Sequence, residues 1–157
     1  MTSTRGGRPI SRCCERAATR LRHSSRRQCV PARVFEAATI RVVPRIDREE
    51  FINVGVVLHS PEAAFLDCRV ELDGARLAAL APRLSCAMVE RHMQAFVAVC
   101  RGERGAGPIA ALPRGERFHW LVAPRSAMIQ TSAVHAGVAD DPAAALERLF
   151  RAQVGPV

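Results

Sequence analysis

One segment of the chain gathers most of the side chains that could do chemistry. Residues 117–137 contain the single Trp, two of the five His, and several Arg, Gln and Ser side chains. Within it, His135 is the best candidate for proton transfer, because imidazole changes charge near neutral pH. Ser132 and the acids Asp140 and Asp141 flank it, so a nucleophilic triad is conceivable. No Gly-x-Ser-x-Gly elbow is present, and the default for His135 is a side chain that packs against its loop.

Arginines near predicted strand ends offer a second kind of site, for an anion. The planar guanidinium donates two parallel hydrogen bonds to a phosphate or carboxylate, and nearby amides could orient such a ligand. The alternative is that these Arg pair with acids close in sequence, as surface salt bridges that contribute little to stability. The candidate ligand-binding or interface residues are Arg41, Arg45, Asn53, Gly55, Trp120, Arg125, Gln130 and Ser132.

The chain shows no pattern that predicts a metal or cofactor site. Its six Cys include no Cys-x-x-Cys pair, and His59 and His119 have no partner at metal-ligand spacing on the same element. We expect no metal, no cofactor and reduced cytosolic thiols. His92 is predicted to be a core or boundary residue. Trp120 is predicted to lie in the core, because aromatic residues form only 4% of the chain and leave no second platform for stacking bases.

The net charge of +8 comes from one end of the chain. Residues 1–34 hold nine Arg and one Glu, whereas residues 35–157 hold fourteen Arg and fourteen acids, so the body has no basic field to steer it toward nucleic acid. The tail is rich in Arg and Ser, which predicts disorder. The alternatives are a misassigned start at Val30 or Val34, a transit peptide, a basic arm for nucleic acid, or a zinc site formed by Cys13, Cys14, His23 and Cys29.

Three strands with short links are predicted at the start of the body. Residues 39–43 are mostly β-branched and stop before Pro44, which cannot continue a paired ladder. Residues 65–72 alternate with one polar face, as in an antiparallel meander. Residues 51–58 include Gly55, and a glycine inside a strand marks a bulge or a close backbone approach. One face of this second strand carries Ile52, Val54, Val56 and Leu58.

Two helices are predicted next. The first is short, capped by Asp73 and ended before Pro82, and the second is longer, capped by Ser85 and ended at Gly102. The apolar residues of the second form one stripe, which predicts packing against the sheet.

The remaining segments complete the predicted order. Residues 102–115 are predicted to be a loop, and residues 118–123 and 128–132 to be two more strands. Asp141 is predicted to cap a final helix that runs through Phe150. The order βββααββα is typical of an α+β domain.

Three motifs occur in one order along the body. They are residues 41–45 (Arg-Val-Val-Pro-Arg), residues 50–57 (Glu-Phe-Ile-Asn-Val-Gly-Val-Val), and residues 118–126 (Phe-His-Trp-Leu-Val-Ala-Pro-Arg-Ser), continued by Ile129, Gln130, Ser132, Val134, His135 and Gly137. By these motifs the body, from about Phe35 to about Phe150, resembles the bacterial family catalogued as domain of unknown function 3037.

The resemblance implies little about activity, since that family has no established reaction. The chain departs from the family at Glu49, where Gly is frequent, and at Ala133, where Pro is frequent, so the placement of His135 is affected. Members are often encoded beside kinases that resemble the HipA toxin, which implies an accessory role and a protein partner of that kind.

The sequence therefore predicts an α+β fold: residues 1–34 as a basic tail, and residues 35–157 as one domain with an antiparallel sheet of about four or five strands and helices on one face. No apolar run approaches the roughly 20 residues of a membrane span, and the absence of Lys with abundant Ala indicates a GC-rich bacterial source, so we expect a cytoplasmic protein. The first hypothesis for function is a non-enzymatic accessory or binding module. The second is an enzyme acting on a phosphate-bearing substrate through Arg45, Arg125 and His135.

Overall fold

Three consecutive strands, rich in β-branched residues, form the centre of the sheet. In the computed structural model, which describes residues 32–155, they are β1 (Arg33–Arg45), β2 (Glu50–Ser60) and β3 (Phe65–Val70). Each pairs antiparallel with the next, so the predicted meander is confirmed. β1 is longer than predicted and continues past Pro44, where a register shift lets the ladder accept a proline. The predictions for residues 1–31 lie outside the described residues.

Two short strands follow one another end to end along the free edge of β1. They are β4 (Ile129–Thr131) and β5 (His135–Ala139), and both pair with β1 antiparallel. The sheet therefore has five strands, with β3, β2 and β1 in order and β4 and β5 on the far side of β1. β4 was expected from residues 128–132, whereas β5 was not, because its Gly and two Ala have weak strand propensity.

Four α-helices and one 3₁₀ helix complete the described fold. They are α1 (Gly74–Leu80), α2 (Cys86–Arg101), the 3₁₀ helix (Pro108–Ala111), α3 (Arg114–Val122) and α4 (Pro142–Val154). Asp73 and Asp141 cap α1 and α4 as predicted, since their carboxylates accept hydrogen bonds from first-turn N–H groups. Gly102 ends α2 with a φ of 70°, also as predicted. Within the described residues, no helix combines the length and apolar character needed to cross a bilayer.

The segment at residues 118–123 is helical, and its prediction as a strand is wrong. Phe118 and Leu121 are buried three residues apart, while His119 and Trp120 between them are exposed, which is the spacing of a helix face. A short apolar run does not distinguish a strand from a helix, and this one was too short to decide. α3 also begins inside the predicted loop, directly after Pro113.

Both faces of the sheet are covered by helices. The first face packs against α1, α2 and α3, and its core contains Ile40, Val54, Val57, Leu77, Val89, Met93, Phe118 and Leu121. The second face packs against α4, and its core contains Phe35, Ala37, Val56, Leu58, Ala145, Leu146 and Phe150. The expectation of helices on one face alone is wrong, because α4 returns across the opposite side. The α+β class and the antiparallel sheet are confirmed.

A bulge in β2 assigns its side chains to the two faces. Ile40 pairs with Gly55 but Arg41 pairs with Asn53, so Val54 is an extra residue in β2. The alternation reverses at this point, and the prediction that placed four β2 residues on one face is wrong. Ile52 and Val54 reach the first-face core, whereas Val56 and Leu58 reach the second.

Gly55 combines this bulge with a close backbone approach. A Cβ atom at Gly55 would lie 2.4 Å from the carbonyl oxygen of Arg69 and 2.8 Å from Cγ1 of Val70. Both are atoms of the neighbouring strand β3, one of them main-chain. Both features expected of a glycine inside this strand are therefore present, and the position has no room for a side chain.

We predict that Gly55→Ala lowers the free energy of unfolding by about 2 kcal/mol, because β2 and β3 would have to separate to admit the methyl group. Gly74→Ala is the matched control, since its Cβ would meet only Cys86 Sγ at 3.8 Å. Equilibrium urea unfolding of both variants checks this. Equal stability of the two variants would show that the approach at Gly55 is not tight.

Candidate binding surface

Three of the candidate residues form a row across the second face. Arg41 pairs in register with Asn53 of β2 on one side and with Gln130 of β4 on the other. All three are partly buried. The row lies at the C-terminal end of α4, where the carbonyl oxygen of Gln153 accepts a hydrogen bond from Asn53 Nδ2 at 3.2 Å. The sheet pairing thus unites side chains that are up to 89 positions apart in sequence.

Two arginines, Arg41 of this row and the neighbouring Arg125, are stacked on aromatic rings. The guanidinium carbon of Arg41 lies 4.2 Å from the ring centroid of Phe51, and that of Arg125 lies 4.3 Å from a ring of Trp120. Phe51 and Trp120 are 45% and 42% exposed, so the prediction that Trp120 lies in the core is wrong. Arg41 and Arg125 line the same cavity of about 280 Å³, together with Phe51 and Gln130. We call Arg41, Phe51, Trp120, Arg125 and Gln130 the Arg–aromatic surface.

Arg125 is held by the end of α3. Its guanidinium donates hydrogen bonds to the carbonyl oxygens of Trp120, of Leu121 at 3.4 Å and of Ala123 at 3.3 Å. The last carbonyls of a helix lack intrahelical partners and carry partial negative charge, so an arginine there is stabilising. Neither expected partner, an acid or an anion, is needed to account for the position of Arg125.

Phe51 was not among the candidate residues of the sequence analysis, although the sequence places it two residues before Asn53.

Arg45 does not belong to this surface. It forms an exposed ion pair with Asp47, with Nε 3.1 Å from Oδ1, and this hydrogen bond lowers the pKa of Asp47 and raises the pKa of Arg45. It lines a different cavity, beside Arg48 and the segment after α1. For Arg45 the structure shows the surface salt bridge that was the alternative to an anion site.

Ser132 occupies the gap between β4 and β5. Its hydroxyl accepts a hydrogen bond from the N–H of Thr39 at 2.9 Å, and its own N–H donates to the carbonyl oxygen of Thr39 at 2.8 Å. The side chain thus replaces a ladder acceptor where the edge strand is interrupted. Ser132 also lines a cavity of about 570 Å³ with Arg125 and Gln130, so it borders the Arg–aromatic surface.

His135 is exposed on β5 and faces another region of the molecule. It pairs in register with Ala37 and lines a small cavity of about 170 Å³ with Thr39 and Gln153. The hydroxyl of Ser132 is engaged by the β1 backbone, and the carboxylate of Asp141 accepts from the N–H of Ala143. Ser132 and Asp141, two of the side chains considered for a triad, are therefore committed to different structural contacts. Arg45, Arg125 and His135 likewise line three different cavities.

Another groove, of about 780 Å³, lies elsewhere on the second face, between β3 and α4. Of the candidate residues it includes Asn53, whose Oδ1 is buried and has no hydrogen-bond partner among the described residues. The charged side chains of the groove partly satisfy one another, since Arg69 pairs with Glu147 at 3.2 Å and stacks over Phe150. The six charged residues that line it are Arg69, Arg76, Arg151, Glu71, Asp73 and Glu147.

His59 is a buried histidine for which the sequence analysis predicted no role. It is 6% exposed and stacks on Phe118 with ring centroids 5.1 Å apart. Burial lowers the pKa of His59, the nearby Glu36 carboxylate at 4.0 Å opposes that shift, and His119 adds to it. The residue therefore belongs to the packing of α3 on the first face.

Comparison with known proteins identifies a family and nothing more specific. A family model described as "Protein of unknown function (DUF3037)" matches residues 38–154, which include most of β1 and the whole of the other four strands and the four α-helices. A search of curated proteins and a search of solved structures each found no match.

We predict that Ser132→Ala lowers the free energy of unfolding by about 1–2 kcal/mol, because it leaves the Thr39 N–H without its acceptor. Hydrogen exchange at the Thr39 amide should accelerate at the same time. Ser126→Ala, at an exposed serine of the preceding connection between α3 and β4, should change neither quantity. Unchanged exchange at Thr39 in Ser132→Ala would contradict the proposed role of the hydroxyl.

His59 should make stability depend on pH. Because its pKa is lowered in the folded state, the unfolded chain binds the proton more readily, and the free energy of unfolding should fall as the pH drops below about 6.5. The contribution is fully present above that pH. Unfolding of His59→Gln between about pH 7 and pH 5 should show a smaller slope than the parent. The control is His92→Gln, at an exposed histidine, whose unfolding free energy should change with pH as in the parent. If the unfolding free energy of His59→Gln changed with pH as in the parent, His59 would not be the source of the pH dependence.

Proposed function

The chain belongs to the DUF3037 family, and on that premise we propose that it is a non-enzymatic binding module whose Arg–aromatic surface docks another protein. One observation carries the proposal: two arginines, each stacked on an exposed aromatic ring, line one cavity. Aromatic residues and arginine are the side chains most often found at the energetic centre of protein interfaces.

Contacts within the chain hold both arginines of the surface in place. Stacking on Phe51 and Trp120 restrains both guanidinium groups, and the α3 carbonyls hold Arg125 further. A side chain that is held in place loses less conformational entropy on binding, which supports affinity. Arg41 Nε is buried and has no hydrogen-bond partner among residues 32–155, so an acceptor on a partner would remove an unsatisfied donor.

The expected partner presents acidic side chains beside apolar ones. Arg41 and Arg125 supply the positive charge of the surface, and the neighbouring Ile46 adds an apolar side chain that is 45% exposed. The family resemblance makes a HipA-like kinase the first partner to test. We place the protein in the bacterial cytoplasm, where the three free thiols of the described residues would stay reduced.

An anion site is the alternative that the same surface supports. Arg41, Arg125, Ser126 and Gln130 share a cavity of about 280 Å³, which is large enough for a phosphate group. The carboxylate of Glu49 lines the same cavity and opposes an anion there. The geometry does not support His135 as the acid or base of an enzyme acting at this cavity, since His135 lines a different cavity. Phosphorylated ligands that bind without turnover would favour an anion site over a protein interface. Turnover lost in Arg125→Ala would favour an enzyme.

We predict that Phe51→Ala removes a specific partner from pull-downs of the tagged full chain, because an aromatic residue at an interface centre contributes at least about 2 kcal/mol, or roughly 30-fold in affinity. The matched control is Val138→Ala, since Val138 is also an exposed apolar side chain of the sheet, on β5. Bound proteins are quantified by mass spectrometry from the native cell, with a HipA-like kinase added in purified form as a separate arm. A partner that is retained by Phe51→Ala, or lost equally from both variants, would exclude this surface as the interface.

A further inference from the structure

Two buried thiols and a carboxylate meet where α2 packs on β3. Their ligand atoms, Asp67 Oδ, Cys68 Sγ and Cys100 Sγ, all lie within 4.8 Å of one another. Cys68 is 3% exposed and Cys100 is fully buried, whereas the side chain of Asp67 is 39% exposed. The cluster therefore lies just beneath the surface, with its carboxylate at the outer end. It belongs to the first face and is separate from the Arg–aromatic surface.

The spacing suits a small thiophilic cation. In a tetrahedral zinc site the metal lies about 2.3 Å from each sulfur and about 2.1 Å from a carboxylate oxygen, which places ligand atoms about 3.5–3.8 Å apart. The three ligand atoms lie within 4.8 Å of one another, and side-chain adjustments of about 1 Å would bring them to the tetrahedral spacing. Two sulfurs with one oxygen are a donor set that zinc accepts and that magnesium and calcium do not.

The charges around the cluster also fit a divalent cation. Two thiolates and one carboxylate carry three negative charges, of which zinc neutralises two. Arg101 supplies the remaining positive charge, since its Nε lies 3.2 Å from Asp67 Oδ1. Arg117 provides a further positive charge near Cys100. A complete site would thus be close to electrically balanced, which matters because Cys68 and Cys100 are buried.

We propose that Asp67, Cys68 and Cys100 form a binding site for one zinc ion, which links β3 to the last turn of α2. Binding forms two Zn–S bonds and one Zn–O bond, and the two S–H protons pass to solvent. Without a metal, the neighbouring thiol and burial raise the pKa of Cys100, so this thiol stays protonated. The fourth position of the tetrahedron falls to a water molecule on the exposed side of Asp67.

The alternative interpretation is that both cysteines serve only as packed side chains of the first-face core. Buried cysteines commonly behave as small apolar side chains, and both belong to this core. In that case Asp67 has its partners in the Arg101 guanidinium and in the N–H of Cys68, which donates to Oδ1 at 2.9 Å. The two interpretations differ in their predictions, since a packing role needs no metal and tolerates loss of the Asp67 charge.

The test uses the full chain with Cys13, Cys14, Cys29 and Cys86 replaced by Ser, so that Cys68 and Cys100 are the only thiols. Cobalt(II) serves as the spectroscopic probe and zinc as the competitor. We expect one equivalent of cobalt to give a thiolate-to-metal charge-transfer band, and one equivalent of zinc to remove it. Asp67→Asn should weaken zinc at least about tenfold. Glu71→Gln, the same charge change at an exposed nearby position, should bind as the parent does.

A second measurement guards against variants that fail to fold. In the chain with all six native Cys, zinc should protect Cys68 and Cys100 from alkylation by N-ethylmaleimide, as read by peptide mass spectrometry. No charge-transfer band, or equal zinc affinity in the parent and Asp67→Asn, would overturn the proposal. A further pair of results would also overturn it: peroxide oxidises Cys68 and Cys100 to a disulfide, and zinc leaves the alkylation of both cysteines unchanged. The two cysteines would then form a redox couple and not a zinc site.

Discussion

The close approach of the Gly55 backbone to the Arg69 carbonyl, beside the extra residue Val54, is the constraint on which the two-faced sheet depends. Without the bulge, strict alternation would place Val54 and Val56 on the same face. With it, Val54 joins the core under α1 to α3, and Val56 joins the core under α4. The same shift sets Asn53 opposite Arg41, so it aligns the polar row as well as the core.

The end of α4 separates the packed part of the second face from its polar part. Apolar side chains of α4 cover the sheet near the start of β1. Its last turn contributes Gln153, whose side chain accepts from Thr39 and whose carbonyl oxygen accepts from Asn53. Beyond this point the face carries the polar side chains of Arg41 and Gln130. The Arg–aromatic surface thus begins where helix cover ends, and the carbonyls at the end of α3 position its second arginine, Arg125.

Local patterns predicted the features that depend on a few neighbouring residues. The caps at Asp73 and Asp141, the stop at Gly102 and the meander were correct because their signals lie within one turn or one strand. The strand at residues 118–123 was wrong because a six-residue apolar run is compatible with a buried helix face. β5 carries no strand signal of its own and exists through pairing with β1.

The candidate site was predicted only in part, because its residues are brought together by contacts between segments that are distant in sequence. Arg41, Asn53 and Gln130 meet through strand register, which the sequence motifs do not specify. The grouping of Ser132 with His135 relied on closeness in sequence, whereas the Ser132 hydroxyl is turned to the β1 backbone. Phe51 was overlooked because a large apolar side chain in a strand is ordinarily buried, and here it lies 45% exposed under the Arg41 guanidinium.

The claim that the Arg–aromatic surface docks another protein is tested most directly by photo-crosslinking in the native cell. A photoreactive phenylalanine derivative is placed at residue 51, and in a second strain at residue 138 on the same sheet. We expect irradiation to join residue 51 to one discrete protein and residue 138 to none. A chain that stays uncrosslinked at residue 51, or that gives the same products from both positions, would contradict the account.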